Sequence, residues 1–348
     1  MSERLTDSFS QASLESMTKA AMIAGLLALL VAVPASPRPS DSAASRDPNQ
    51  PPEHVEPYPN LATGKNRTQR RRSFDLGPQM ERGVPAKVML EQRRRLDEAL
   101  GALKAQRRGT VDAYVVSIAL DSDPVFAREA REAGRVLERR YDAGGRTLTL
   151  AGPDGARDDL PQGSIDALIV SLAHIAELMD SEEDVLVLYT TSHGLDLGLA
   201  YHYGDTGYGV LSPARFKSVL EELGIKRRIL FLSACFSGVF VNPLANKDTA
   251  IFTAAAANRS SFGCEAENDW TFYGDALINN ALRQPQSLSQ AGKQAVNLVA
   301  KWEAERRLLA SLPQTRIGDG VDEWLPALEA RMPQVATSPV GRPAISAE

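Results

Sequence analysis

Two residue types able to share one reaction, a histidine and a cysteine, each stand directly behind an apolar run. The first run, DVLVLYTTS at 184–192, leads into His193 and Gly194; the second, RRILFLSA at 227–234, leads into Cys235. A free thiol has a pKa near ~8.5, so at neutral pH little of it is thiolate, the form that attacks a carbonyl. An imidazole beside it accepts the thiol proton and later returns it to a leaving amine. Small neighbours, Ser233, Ala234 and Gly238, leave room for a polypeptide. The amides of Gly194 and Cys235 are candidate oxyanion donors, since glycine lets a carbonyl approach closely. If a helix starts after Cys235, its N-terminal dipole favours the thiolate as well.

The elements around these residues must bring them together. Continuous apolar runs of this length suit strands buried on both faces. Between them LSPARFKSVLEELGIK (211–226) reads as a helix, so the unit is a parallel crossover. If its two strands are neighbours, His193 and Cys235 emerge at one carboxyl edge, where open parallel sheets build their sites. The alternation extends in both directions. VDAYVVSIAL (111–120), TLTLAG (147–152) and DTAIFTAAAA (248–257) read as further strands. PVFAREAREAGRVLERRY (124–141) reads as a helix, and so does GSIDALIVSLAHIAELMD (163–180), with Ser164 as N-cap. A helix also opens near Ala86, another covers FYGDALINNALRQ (272–284), and a long one covers 287–312. The pattern predicts one α/β domain over 86–312, a mostly parallel sheet with helices on both faces.

At this point the residues resemble a family. TTSHG followed by SACFSG, with the flanking LGIKRRILFLSACFSGVFVNPL and IFTAAAANRSSFGCEAENDWTFYGDAL, is similar to the legumain family of cysteine peptidases, in the caspase-like clan. Its bacterial secreted or membrane-tethered branch is the nearest, and the resemblance covers roughly residues 110–285. It implies a caspase-like sheet, His193 and Cys235 as a catalytic dyad, Gly194 as an oxyanion donor, and no metal or other cofactor. It also implies a substrate pocket built from Ser233, Ser260, Ser261 and Asp275. Ser233 stands where the family carries a pocket glutamate, and DSDPVFAREA has no match for the family's pocket arginine. Asparaginyl preference is therefore not implied. The family includes endopeptidases and transpeptidases or transamidases, which share the acyl-enzyme. A non-catalytic caspase-like binding module is the alternative from another class, and retention of His193 and Cys235 argues against it.

Other reactive residues read more plainly. Cys264 is expected as a structural thiol, His174 as a packed or rim residue, His202 as a hairpin residue and His54 as inert. Asp196 reads as a solvated turn carboxylate, with orientation of His193 as its lesser reading, because the apolar Leu195 cannot take that role. No CxxC or HExxH spacing offers a zinc motif, and no GxSxG or phosphate loop is present.

The ends of the chain carry a different composition. An apolar run at 20–35 follows Lys19 and ends in small residues and prolines, the pattern of a secretory signal or of an uncleaved anchor. Either places the body outside the cytoplasm, periplasmic or secreted, with the run as a membrane tether if it is retained. Residues 36–85, rich in Pro, Ser, Asn and Arg, read as a disordered linker, and 313–348 as a loose Pro-rich tail. A net charge of −5 argues against a nucleic-acid partner, and basic clusters such as KNRTQRRR read as solvated faces. The expected partner is a protein or peptide substrate.

Overall fold

The sequence's apolar runs form the middle of one sheet. The computed structural model describes residues 50, 52, 54–154 and 156–346, and these fall in one compact unit. The apolar run at 20–35 lies outside the described residues. Among the described residues no helix is long and apolar enough to cross a membrane.

In chain order the elements are α1 (Arg67–Asp75), β1 (Gln79–Glu81), α2 (Ala86–Gly101), β2 (Ala113–Ala119), α3 (Pro124–Arg140) and β3 (Thr147–Leu150). They continue with α4 (Ile165–Leu178), β4 (Val185–Thr191), β5 (Gly194–Leu195), β6 (Gly198–Tyr203), β7 (Gly207–Leu211), α5 (Pro213–Glu222) and β8 (Arg227–Ser233). The last are α6 (Val241–Leu244), β9 (Thr249–Thr253), α7 (Phe272–Gly274), α8 (Leu288–Glu305), β10 (Gln314–Ile317) and α9 (Val321–Glu329). The main sheet runs β10-β9-β8-β4-β2-β3, with every pair parallel except β10 on β9.

Alternate residues of these strands face opposite layers, as the two-residue period requires. Val115, Val187, Tyr189, Ile229, Phe231 and Phe252 pack with Ala133 and Leu137 of α3, Ala291 and Ala295 of α8, and Trp324 of α9. Val116, Leu186, Leu188, Leu230 and Ile251 pack with Leu168 and Leu172 of α4 and Phe216 and Leu220 of α5. Helices thus cover both faces, as expected. Ser164 caps α4, its hydroxyl accepting from the Ala167 amide at 3.0 Å.

The chain steps from β2 to β3 on one side, then returns to place β4 on the other side of β2. This makes the β2/β4 boundary the topological switch point, where a crevice opens outside the carboxyl ends of the strands. A second, antiparallel sheet, β1-β7-β6-β5, grows from the loop after β4. It leans over that crevice, because β6 makes a single parallel bridge between His202 and Asp121.

Three boundaries differ from the sequence reading. Residues 36–85 do not form a disordered linker throughout, because they carry α1 and β1. Gln79 and Glu81 pair with Gly209 and Gly207 of β7, and the Tyr58 hydroxyl donates to the Gly209 carbonyl at 2.9 Å. A polar segment with little apolar surface of its own is held here by an open sheet edge supplied from elsewhere. Nor do the described residues of the C-terminal stretch, 313–346, form a loose tail throughout. Strand β10 extends the main sheet, and α9 buries Val321, Trp324, Leu325 and Leu328 at helical spacing. The last long helix stops at Glu305, and Arg307 takes a left-handed φ of 56° that ends it.

Candidate active site

The crossover places His193 and Cys235 behind neighbouring strands at one edge of the sheet. Strands β4 and β8 are parallel neighbours with Thr191 opposite Ser233, so His193 and Cys235 each lie two residues beyond a matched pair. The Ser192 amide donates to the Ser233 carbonyl at 3.2 Å, continuing the ladder one step past the strands. Gly194 then lies so close to Cys235 that a Cβ there would sit 1.9 Å from the Cys235 carbonyl oxygen. No side chain fits between the two loops, and that is the reason for glycine after the histidine.

Cys235 is free, as is Cys264. The Cys235 sulfur accepts from the Ser261 amide at 3.2 Å, and the Ser261 hydroxyl lies 3.6 Å away. Phe236, next in the chain, has a φ of 56°, unusual for a bulky residue and stabilised only by its surroundings. Its amide is committed to the Arg259 carbonyl at 2.8 Å. The segment after Cys235 is one tight turn, Ser237–Phe240, followed by the four residues of α6. So short a helix provides little dipole, so the expected dipole assistance to the cysteine is small.

The imidazole is oriented from β2. Asp123, four residues after that strand, lies with Oδ2 3.3 Å from His193 Nε2. A carboxylate only accepts, so Nε2 carries the hydrogen and Nδ1 keeps the lone pair. The His193 ring and Phe126 of α3 meet at an interplanar angle of 83° with centroids 5.0 Å apart. Burial works to lower the His193 pKa, but the Asp123 bond and the charges of Asp121 and Asp123 outweigh it and raise the value. Burial likewise opposes ionisation of Asp123, and the His193 bond and charge still hold its carboxyl below the usual range. Asp121 is pushed up to about 6, chiefly by burial.

Asp196 is exposed, in keeping with its reading as a solvated turn carboxylate, and among the described residues no hydrogen bond joins it to the His193 ring. Asp123 orients that ring. The signal was present in DSDP: the rule that sites form at carboxyl edges applies to β2 as well as to β4 and β8.

The four pocket residues separate. Ser261 touches the sulfur, and Ser260 is exposed nearby in sequence. Ser233 is buried, 3.1 Å from the Thr271 hydroxyl. Asp275 departs from the sequence expectation. It is 1% exposed, and its oxygens accept from the Ala344 amide and the Asn279 and Asn280 side chains at 2.7–3.0 Å. A carboxyl committed to the C-terminal segment is closed to a substrate side chain.

The remaining candidates fall into place. His174 packs against the Leu100 carbonyl at 3.1 Å. The Cys264 residue packs near Phe126, and its thiol is raised well above the usual range, mainly by burial. His54, expected as inert, instead reaches the site: Nδ1 lies 3.0 Å from His202 Nε2, and Nε2 lies 3.6 Å from Asp123 Oδ1. Burial and the neighbouring His54 lower the His202 pKa to about 4.

Comparison with known proteins adds the following. A model of the Peptidase C13 family matches residues 166–322. No curated protein sequence matches. Among solved structures the chain is similar to caspase-1 from Spodoptera frugiperda, at 13% identity and a TM-score of 0.39, over 62% of this chain and 88% of that one.

Proposed function

Residues 166–322 belong to the Peptidase C13 family, the legumain-type cysteine peptidases, and from that premise we propose that this chain is an endopeptidase acting through Cys235 and His193. The observation that carries the reading is the register. Two adjacent parallel strands end in step, and the loops behind them touch at Gly194 and the Cys235 carbonyl.

In this mechanism Nδ1 of His193 takes the Cys235 proton while Asp123 holds Nε2–H and balances the developing imidazolium. The sulfur attacks the scissile carbonyl carbon, and the carbonyl electron pair moves onto oxygen. The Cys235 amide, which donates to no other described residue, and the Gly194 amide are the donors assigned to that oxyanion. Collapse expels the amine, which takes the proton from His193 and leaves a thioester. Water, deprotonated by the same imidazole, then releases the acid and the free thiol. Asp123 acts through the imidazole and is a positioning residue. The reading includes an extracytoplasmic location, supported by the composition of 20–35.

Alkylation of the native chain by iodoacetamide, mapped by mass spectrometry, tests it. Cys235 reacts faster than Cys264, and His193→Ala slows the reaction at Cys235 alone. Cys235→Ala abolishes cleavage across a peptide library. Equal reactivity of the two thiols, or cleavage surviving Cys235→Ala, would overturn the assignment.

A further inference from the structure

The crevice at the β2/β4 switch holds more charge than a Cys–His pair needs. Asp121 is 4% exposed. One oxygen accepts from the Asp123 amide at 3.0 Å, while the other, Oδ2, has no hydrogen-bond partner among the described residues. A buried carboxylate oxygen without a donor is costly unless a proton or cation meets it. Asp121, Asp123 and His193 each place one ligand atom within 4.8 Å of the others.

We propose that Asp121, Asp123 and His193 form a binding site for a Zn2+-class divalent cation, which holds the imidazole and switches the peptidase off. Zinc bonds to nitrogen and oxygen at about 2.0–2.2 Å, so neighbouring ligands around a tetrahedral ion lie roughly 3.3–3.6 Å apart. The Asp123–His193 pair is already at 3.3 Å. His54 stands 3.6 Å from the other Asp123 oxygen, one edge outside the three-donor set. Two carboxylates neutralise the ion, and an imidazole selects it over magnesium and calcium, which prefer six or more oxygens. The ion replaces the proton on His193 Nε2, so Asp123 then binds metal and no longer orients the ring. Zinc-motif spacing is absent from the sequence because the donors come from two strand ends, 70 positions apart at Asp123 and His193.

The inhibitory consequence rests on the proposed peptidase reading; the binding does not, and the test reads binding. The full-length chain carrying Cys235→Ala and Cys264→Ser, which removes both thiols, is titrated with Zn2+ by calorimetry and by competition with a chromogenic chelator. One equivalent binds, and Asp121→Asn or Asp123→Asn weakens it at least 10-fold, while Mg2+ and Ca2+ do not compete. Asp123 lies at the rim, so its variant remains informative should the buried Asp121 change impair folding. Loss of zinc binding in the thiol-free chain, or affinity unchanged by the two substitutions, or displacement by Mg2+ or Ca2+, overturns the site.

Discussion

Gly194→Ala is the perturbation that most directly tests the geometry. The added Cβ would lie 1.9 Å from the Cys235 carbonyl oxygen and 3.1 Å from the Ala234 Cβ, whereas real Cβ contacts essentially never fall below 3.0 Å. The two loops must therefore separate by at least 1.1 Å, the difference between 3.0 and 1.9 Å. The loop on the histidine side has little freedom to give. The Ala200 amide donates to the His193 carbonyl at 3.0 Å, and the Ser192 hydroxyl donates to the Ala200 carbonyl at 2.6 Å. The movement falls on the spacing between imidazole, sulfur and oxyanion donors. A misplacement of about 1 Å in a reacting constellation costs on the order of 10²-fold in rate, or about 2.7 kcal/mol of barrier. We expect kcat/KM for a peptide substrate, and the rate of Cys235 alkylation, to fall by about that factor. Circular dichroism should stay native, because the clash is local. Gly101→Ala, with nothing within 4 Å of the added carbon, is the control and should leave both rates unchanged. A Gly194→Ala enzyme that keeps wild-type alkylation and turnover would refute the claim that these two loops position the chemistry.

Further outcomes follow from other contacts. Asp123→Asn should reduce kcat by about 10²–10⁴-fold with KM little changed, and Asp123→Glu should restore part of it; a loss confined to KM would show that Asp123 binds substrate instead. Glu129 is buried and accepts from the Tyr189 hydroxyl at 2.5 Å and the Thr271 amide at 2.7 Å, yet burial still raises its carboxyl above the ordinary 4.5. The folded chain keeps a proton there that the unfolded chain has released. The stability this confers is therefore full below about pH 4.5 and is lost as pH rises through the folded value. Glu129→Gln should flatten that decline in a plot of Tm against pH, and an unchanged slope would refute the assignment. Trp324, 1% exposed on α9, should cost about 3–5 kcal/mol when changed to alanine, read by urea denaturation; a cost near zero would return residues 313–348 to a loose tail.

The strands and the reactive pair were legible in the sequence because their signals are local. DVLVLYTTS and RRILFLSA are apolar without a break, one crossover joins them, and a histidine and a cysteine follow at the same offset. Chain chirality and crossover length then leave few ways to arrange them. What composition could not reveal depends on contacts between segments far apart in sequence. The polar stretch holding α1 and β1 has no core of its own, and it is ordered by the edge of β7. The Pro-rich end is ordered by β9 and by the face that receives Trp324. Asp275 matched a pocket motif in sequence, but the fold turns its carboxyl toward the Ala344 amide. Asp123 and His54 reach the site only because the sheet order places β2 beside β4 and the antiparallel strands fold back over the switch point. Residue type and strand pattern determined which groups could react. Which acid meets the imidazole was decided by the tertiary structure, because a hydrogen bond of about 3 Å depends on where two strand ends lie in space and not on their separation along the chain.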